Sequence, residues 1–387
     1  MSNAILVLNA GSSSMKFALY DADTLEPLTR GNVRGIGGET GLDVSGPDGA
    51  IFGAPRSLSH HADHQAAIAW ILKRIREEPG LSLRAAGHRV VHGGPRFTAP
   101  VLVDDAILAQ LAALTPLAPA HQPHNLAALR AVAQAWPGLP QVACFDTAFH
   151  RTQPRLAQLL PLPRSFADEG VLRYGFHGLS YQHIAETLPD LIGRRCEGRV
   201  IVAHLGHGAS LCAMRERRSV ATTMGFTALD GLMMGTRSGA IDPGLVLYLI
   251  QERGMAPAAV AELLNKQSGL LGVSGLSDDV RVLTESGDAC AEEALELFAY
   301  RAVREAGSLM AALGGLDVLV FTAGIGEHAP GVRAAIASAL AWAGIDFDGE
   351  RNRHNAQRIS RDGSAVDVLV IPANEELPIA RAVQNLL

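Results

Sequence analysis

Ile5-Leu-Val-Leu-Asn-Ala-Gly-Ser-Ser-Ser-Met-Lys-Phe-Ala-Leu-Tyr20 joins two apolar runs through a turn of small polar residues. Ile5–Leu8 reads as a buried strand, Met15–Tyr20 as its neighbour, and Leu28–Arg34 as a third after another short turn. Three short strands separated by Gly/Ser or polar turns predict an antiparallel meander ahead of the first long helix. The strand-then-turn phrase recurs twice. Val200–His204 runs into Leu205-Gly-His-Gly-Ala-Ser210, and Val318–Phe321 runs into Thr322-Ala-Gly-Ile-Gly-Glu327. Small residues let backbone N–H groups approach phosphate oxygens that larger side chains would obstruct. One such turn often only reverses the chain. Three of them favour a nucleotide cleft built from two domains.

Between these phrases the pattern alternates. Apolar runs at Gln141–Phe145, Arg199–His204, Asp317–Thr322 and Val366–Ile371 read as strands. Ala66–Arg76 and Ala289–Leu313 repeat apolar residues at three- and four-residue spacing, the mark of an amphipathic helix. The class is therefore α/β, with mixed sheets flanked by helices. A length of 387 residues suits two domains, and the prolines at 154, 161 and 163 place the internal boundary near Arg151–Ser165. No short-period repeat is visible, although a structural duplication would escape this kind of inspection.

Composition excludes several classes. The net charge of −6 carries no basic block, so neither a nucleic acid nor an anionic membrane surface is an expected partner. The N-terminus enters a strand with no basic leader, and no apolar run reaches the ~18 residues of a membrane span, so the expected location is the cytoplasm. Cys144, Cys196, Cys212 and Cys290 form no C-x-x-C pair, which argues for free thiols rather than a disulfide frame or zinc site. None of the three lysines (Lys16, Lys73, Lys266) follows a glycine, so no P-loop is possible. The dinucleotide fingerprint, the zincin helix and the G-x-S-x-G elbow are also missing.

Five further segments are dense in polar groups where a core does not want them. They are Gly87-His-Arg-Val-Val-His-Gly-Gly94, Cys144-Phe-Asp-Thr-Ala-Phe-His150, Tyr174-Gly-Phe-His-Gly-Leu-Ser180, Gly235-Thr-Arg-Ser-Gly239 and Asn374-Glu-Glu376. With the three turns, they resemble the ordered motifs of the acetokinase family, from Ile5 to about Ala382. That family belongs to the actin, hexokinase and Hsp70 superfamily. The resemblance implies two actin-like (ribonuclease H-like) domains and an interdomain active-site cleft. It places the first domain at 1–150 plus 376–387, and at 151–375 a second that carries most nucleotide contacts. The implied activity is reversible phosphoryl transfer from ATP to acetate, giving acetyl phosphate and ADP. A homodimer is implied as well.

The chemistry fits on its own terms. A carboxylate with a pKa near ~4–5 is already ionised at neutral pH, so the nucleophile needs no strong base. What it needs is neutralisation as it approaches an anionic γ-phosphate. The resemblance assigns Asn9 and Glu375 to a magnesium ion (or manganese), with Ser12, Ser14 and Lys16 beside the phosphates. Lys16 also reads as a solvent-facing lysine at a strand edge. Arg89 is the implied clamp for the substrate carboxylate. His177 and Arg237 are the implied donors to the transferring phosphoryl group. Asp146 is the family's acidic residue, read as ordering the metal through water or orienting Arg237, with a helix N-cap as the plain alternative. His204, Leu205, Gly206, His207 and Gly208 fall on the nucleotide segments. So do Asp279, Val280 and Arg281, and Gly324, Ile325, Gly326, Glu327 and His328. Val91, Ala120, Phe176 and Ala228 match the wall around the acyl methyl group.

The chain departs from the family pattern in places. His207 and His328 stand where Asn is usual, and neither ring reproduces a carboxamide's donor-plus-acceptor pattern, so altered nucleotide affinity is the expectation. Ala240 replaces a common Asp and Val280 a Met. Ala120 and Ala228 stand where Leu and Pro are usual, which removes carbon from the acyl wall. Each missing methylene is worth about 0.8 kcal/mol, so propionate or butyrate is expected to compete better, unless neighbours refill the space. The alternatives are a propionate- or butyrate-preferring kinase and, from another class, a nucleotide-dependent scaffold. A sugar kinase of the same superfamily would have no use for Arg89.

Overall fold

Ala4–Ala10 is an unbroken buried run, and a strand buried on both faces sits inside a sheet rather than at its edge. The computed structural model describes residues 2–11, 14–36, 38–45, 62–119 and 121–387. Ser12 on the first turn and Ala120 on the acyl wall lie outside the described residues. The chain divides into two compact units, Met1–Phe149 with Asn374–Leu387, and His150–Ala373.

In the first unit β1 (Ser2–Ala10), β2 (Ser14–Asp21), β3 (Pro27–Arg34) and β4 (Gly41–Ser45) form an antiparallel meander. β1 then pairs in parallel with β5 (Leu81–Val90). β6 (Val101–Leu102) pairs antiparallel with β7 (Gln141–Phe145), which itself runs parallel to β5. The order among the described residues is β4-β3-β2-β1-β5-β7-β6. The second unit contains β8 (Val200–Leu205), β9 (Ala209–Arg215), β10 (Arg218–Thr222), β11 (Val318–Thr322) and β12 (Asp367–Val370), ordered β10-β9-β8-β11-β12. With β4 and β6 set aside, the two sheets share one plan: a three-strand meander whose first strand continues into two parallel strands. This is the duplication that the sequence conceals.

Local chemistry explains the helices. The helix His64–Glu77 is capped by Asp63, whose carboxylate accepts from the Ala66 N–H at 2.8 Å, and it carries Arg74 and Arg76 in its last turn. It buries Ile68, Ile71, Leu72 and Ile75 against the sheet, each worth about 1.5–3 kcal/mol of gross burial. Ala289–Leu313 is helical over the span its periodicity predicts, from an Asp288 cap to Gly314 in the left-handed region. The C-terminal helix Glu376–Leu386 lies so close to β5 that a Cβ at Gly87 would sit 2.4 Å from Ile379 Cγ2. Only glycine permits that approach.

Two expectations change. Leu81–Val90 is a central strand, although its last four residues belong to the polar segment Gly87–Gly94. The third small-residue phrase is not a turn, because Ala323–His328 forms a short helix directly after β11. Cys144, Cys196 and Cys212 are buried free thiols, while Cys290 is exposed. No helix among the described residues is long and apolar enough to cross a membrane.

Candidate active site

Three adjacent parallel strands of the first unit deliver their chemistry at their carboxyl ends, the usual ligand-facing edge of such sheets. Asn9 is near the end of β1, Arg89 near the end of β5, and Asp146 directly follows β7. The Arg89 Nε donates to both Asp146 oxygens at 3.0 and 3.1 Å, and Nη2 donates to Oδ2 at 2.5 Å. Nη1 donates to Asn9 Oδ1 at 3.0 Å, and the Asn9 amide N–H donates to Glu375 Oε2 at 3.0 Å. Burial pulls the Arg89 pKa down, but the Asp146 and Glu375 charges outweigh it, and the net shift is upward. Arg89 stays a cation throughout. Asp146 is thus held by Arg89, a partner that sequence reasoning did not give it.

A buried amide from the helix Gln122–Ala135 frames this network. Asn125 donates to the Ala10 carbonyl at 2.8 Å and accepts from the Val91 N–H at 2.9 Å, so one side chain fixes the start of the first turn to the end of β5. Across that turn the Gly11 N–H meets the Ser14 carbonyl at 2.8 Å, and His64 Nε2 lies 2.8 Å from the Gly11 carbonyl. Asn125 was not foreseen. The only signal was a His/Gln/Asn cluster opening an otherwise alanine-rich helix. Lys16 is exposed opposite Asn9 in the β1–β2 register, and its charge acts on Glu376, whose carboxyl burial pushes up. Val91 is buried.

In the second unit the β8–β9 hairpin carries the second small-residue turn, closed by the Gly206 N–H on the Gly208 carbonyl at 3.1 Å. His177 precedes the helix Gly178–Ile192 in the left-handed region, φ 59°. For a residue with a Cβ that conformation costs about 1–2 kcal/mol. Its ring stacks on His204 at 4.1 Å, and its Nδ1 lies 2.9 Å from Ser210 Oγ. His204 Nδ1 is in turn 2.8 Å from Ser180 Oγ. A Cβ built on Gly208 would lie 3.3 Å from His177 Nε2 and 3.8 Å from Arg237 Nη1. The two expected phosphoryl donors therefore converge on the bare backbone of the turn. Arg237 also donates to the Ala228 carbonyl at 3.2 Å, which ties it to a residue of the expected acyl wall. Phe176 is buried, and its carbonyl lies 2.9 Å from His150 Nε2.

The remaining segments expected to bind nucleotide sit around this hairpin. His207 Nε2 is 3.0 Å from Asp278 Oδ2, and the Gly235 N–H donates to the His207 carbonyl at 3.0 Å. The histidine in place of the usual Asn thus links the turn to the loop before Asp279. Asp279 caps the helix Val280–Ser286 and holds Arg281 at 2.6 Å, and the arginine's hydrogen bond pulls the carboxyl below its ordinary value. Leu205 and Val280 are buried. In the helix Ala323–His328, Gly324 is open to solvent and Ile325 half-buried. Gly326, by contrast, packs on Phe321 and Ala203. Glu327 accepts from the Ala373 N–H at 2.9 Å, and His328 is exposed.

The acetokinase family profile matches residues 4–381. The chain belongs to the acetokinase family. The acetate kinase of Rhodopseudomonas palustris is 52% identical over 397 residues, covering 100% of this chain and 99% of its own. A solved propionate kinase from Francisella tularensis is 36% identical, with a TM-score of 0.91 and full coverage of both chains. A solved acetate kinase from Porphyromonas gingivalis is 35% identical, with a TM-score of 0.88 and 99% of each chain covered. This acetokinase therefore has the two-domain actin-like fold class read from its sequence, with mixed sheets flanked by helices. It is a phosphotransferase acting on a carboxylate, using ATP and ADP.

Proposed function

We propose that this acetokinase transfers the γ-phosphoryl group of ATP to acetate, reversibly, by direct in-line attack of the carboxylate. The observation that carries the reading is the bonding of Arg89. A guanidinium has five N–H groups. Among the described residues Asp146 and Asn9 occupy three of them, which leaves one N–H on Nη1 and one on Nη2. Two N–H groups on neighbouring nitrogens suit two carboxylate oxygens. The substrate arrives ionised, so Asp146 has no proton to remove; it holds Arg89 and supplies the charge that keeps the fork in place. His177 Nε2 and Arg237 donate to the phosphoryl oxygens as charge moves onto them.

Asn9 and Glu375 are the residues that would hold the divalent ion. They offer oxygen donors only, and among the described residues no group of three or more His, Cys, Asp or Glu could hold a metal. That donor set fits magnesium, or manganese, whose remaining ligands are phosphate and water. Bound there, the ion supplies charge neutralisation on the phosphate oxygens.

A second copy of the chain covers the helix Pro243–Gln251 in this reading. That helix is almost wholly apolar yet contains no buried residue, with Leu245, Leu247 and Tyr248 44–54% exposed. Exposed apolar patches of this kind mark interfaces. Sedimentation should give a dimer for the parent and a monomer for Leu247→Glu.

The first experiment is kcat/KM for acetate, propionate and butyrate with Mg-ATP in one series. An acetate preference supports the proposal, and a propionate preference moves the assignment to the larger acid. ATP binding without turnover of any acid would replace the kinase with a nucleotide-dependent scaffold.

A further inference from the structure

Ser210 Oγ is fully buried between two polar partners, His177 Nδ1 at 2.9 Å and Tyr181 Oη at 2.5 Å. We propose that Tyr181 and Ser210 are positioning residues that hold His177 as the neutral imidazole with its proton on Nε2. The argument is an inventory of hydrogens. Two hydroxyls and one ring nitrogen form a line, and the direction of each bond follows from relative acidity. A phenol is a far stronger acid than a serine hydroxyl, so Tyr181 donates and Ser210 accepts. Tyr181 keeps its proton, because burial raises its pKa well above 10. The one Ser210 hydrogen then has a single acceptor left, the Nδ1 lone pair of His177.

An accepting Nδ1 places the ring proton on Nε2, the nitrogen that faces Gly208 and the Arg237 side. An imidazolium would carry hydrogens on both nitrogens. Its Nδ1–H would then oppose the Ser210 hydrogen inside a buried pocket. His177 therefore presents one N–H, in one direction, without a change of protonation. Tyr181 stands one helical turn after His177, with its N–H bonded to the His177 carbonyl at 3.1 Å, so one backbone segment places both ends of the line.

The catalytic consequence rests on the phosphoryl-donor role proposed above for His177, while the tautomer itself does not. The test is long-range ¹H–¹⁵N correlation of the histidine rings in the full-length protein at neutral pH, with His177 assigned by its loss in His177→Gln. The expected pattern is pyridine-like Nδ1 and pyrrole-like Nε2. Ser210→Ala should mix the two tautomers and lower kcat about tenfold, less than the roughly 10²–10³ lost when a donor is removed outright. KM for both substrates should move less than about twofold. Tyr181→Phe keeps the buried ring and should shift the pattern in the same direction, so it carries the test if Ser210→Ala does not fold. Ser210→Thr, which restores the hydroxyl, should return the parent pattern.

A pyrrole-like Nδ1 in the parent protein overturns the proposal, as does a parent pattern that survives both Ser210→Ala and Tyr181→Phe. A mixed tautomer in Ser210→Ala with unchanged kcat keeps the tautomer assignment and removes the donor role of His177 instead.

Discussion

Asp146 grips Arg89 side-on, taking Nε and Nη2 of the guanidinium while its own side chain is 1% exposed. The pair stands at the ends of β5 and β7, whose parallel register sets Arg89 beside Cys144, two residues short of Asp146. An acid proposed for a phosphoryl-transfer site suggests a general base. Here the carboxylate is engaged by a permanent cation, which supports the positioning role proposed above.

Asp146→Asn should therefore damage substrate capture and stability together. Removing one member of a buried pair strands the other, at about 3–5 kcal/mol. Thermal melting should fall by roughly 6 °C or more, given about 2–4 °C per kcal/mol for a unit of this size. KM for acetate should rise at least tenfold, while KM for ATP stays within about twofold. Arg89→Lys, which keeps the charge and loses the fork, should show the same split in the kinetics. Equal changes in both KM values would count against the positioning role.

Gly208→Ala separates chemistry from folding. Gly208 is not among the residues with positive φ, so alanine suits its backbone. The new methyl would nevertheless stand 3.3 Å from His177 Nε2 and 3.8 Å from Arg237 Nη1, where the phosphoryl oxygens are proposed to lie. Misplacement by about 1 Å costs on the order of 10²-fold in rate. We expect kcat to drop by about 10–100-fold with an unchanged melting temperature, measured on the same preparation. A variant of full activity would mean that the transferring group lies elsewhere.

Two buried histidines give the fold an acid limit. Burial pushes His88 in the first unit and His150 in the second down from 6.5 to about 4. Between those values the unfolded chain binds more protons than the folded one, so stability falls as pH drops from 6.5 to 4 and levels below it. Each contributes about 3 kcal/mol at neutral pH, at 1.36 kcal/mol per unit. Urea titrations at pH 7, 6 and 5 should show the loss. His88→Gln should flatten the dependence by about one proton in that window.

The sheets and long helices were legible because their signal is local. β7 and the helix Ala289–Leu313 match the apolar runs to the residue. Where chemistry interrupts a strand the signal fails, as in β5, whose Arg84, His88 and Arg89 hide the alternation. Ala323 follows β11 with φ 68° and opens a short helix, a conformation that costs a residue with a Cβ about 1–2 kcal/mol and that a run of small residues does not announce. The candidate site residues stood out as motifs, but their pairing did not. Asp146 and Arg89 stand far apart in sequence and meet only through β5–β7 register. Ser210 and Asn125 escaped notice because a serine or asparagine gains meaning only from the two groups it touches.

The acyl wall makes the last prediction, and Ala228 lets it be made cleanly. Its side chain is the carbon that the family pattern supplies as Pro, whereas its carbonyl is the Arg237 acceptor at 3.2 Å. Substitution at 228 changes wall volume and leaves that acceptor in the chain. Ala228→Pro should then lower the propionate-to-acetate ratio of kcat/KM by about fourfold or more, at about 0.8 kcal/mol per methylene excluded. Acetate turnover alone should hardly move. A fall in both acids by the same factor would instead report a displaced Arg237, because the proposed phosphoryl donor would serve every acyl chain equally. No change in either would show that neighbouring side chains already fill the space that Ala228 leaves.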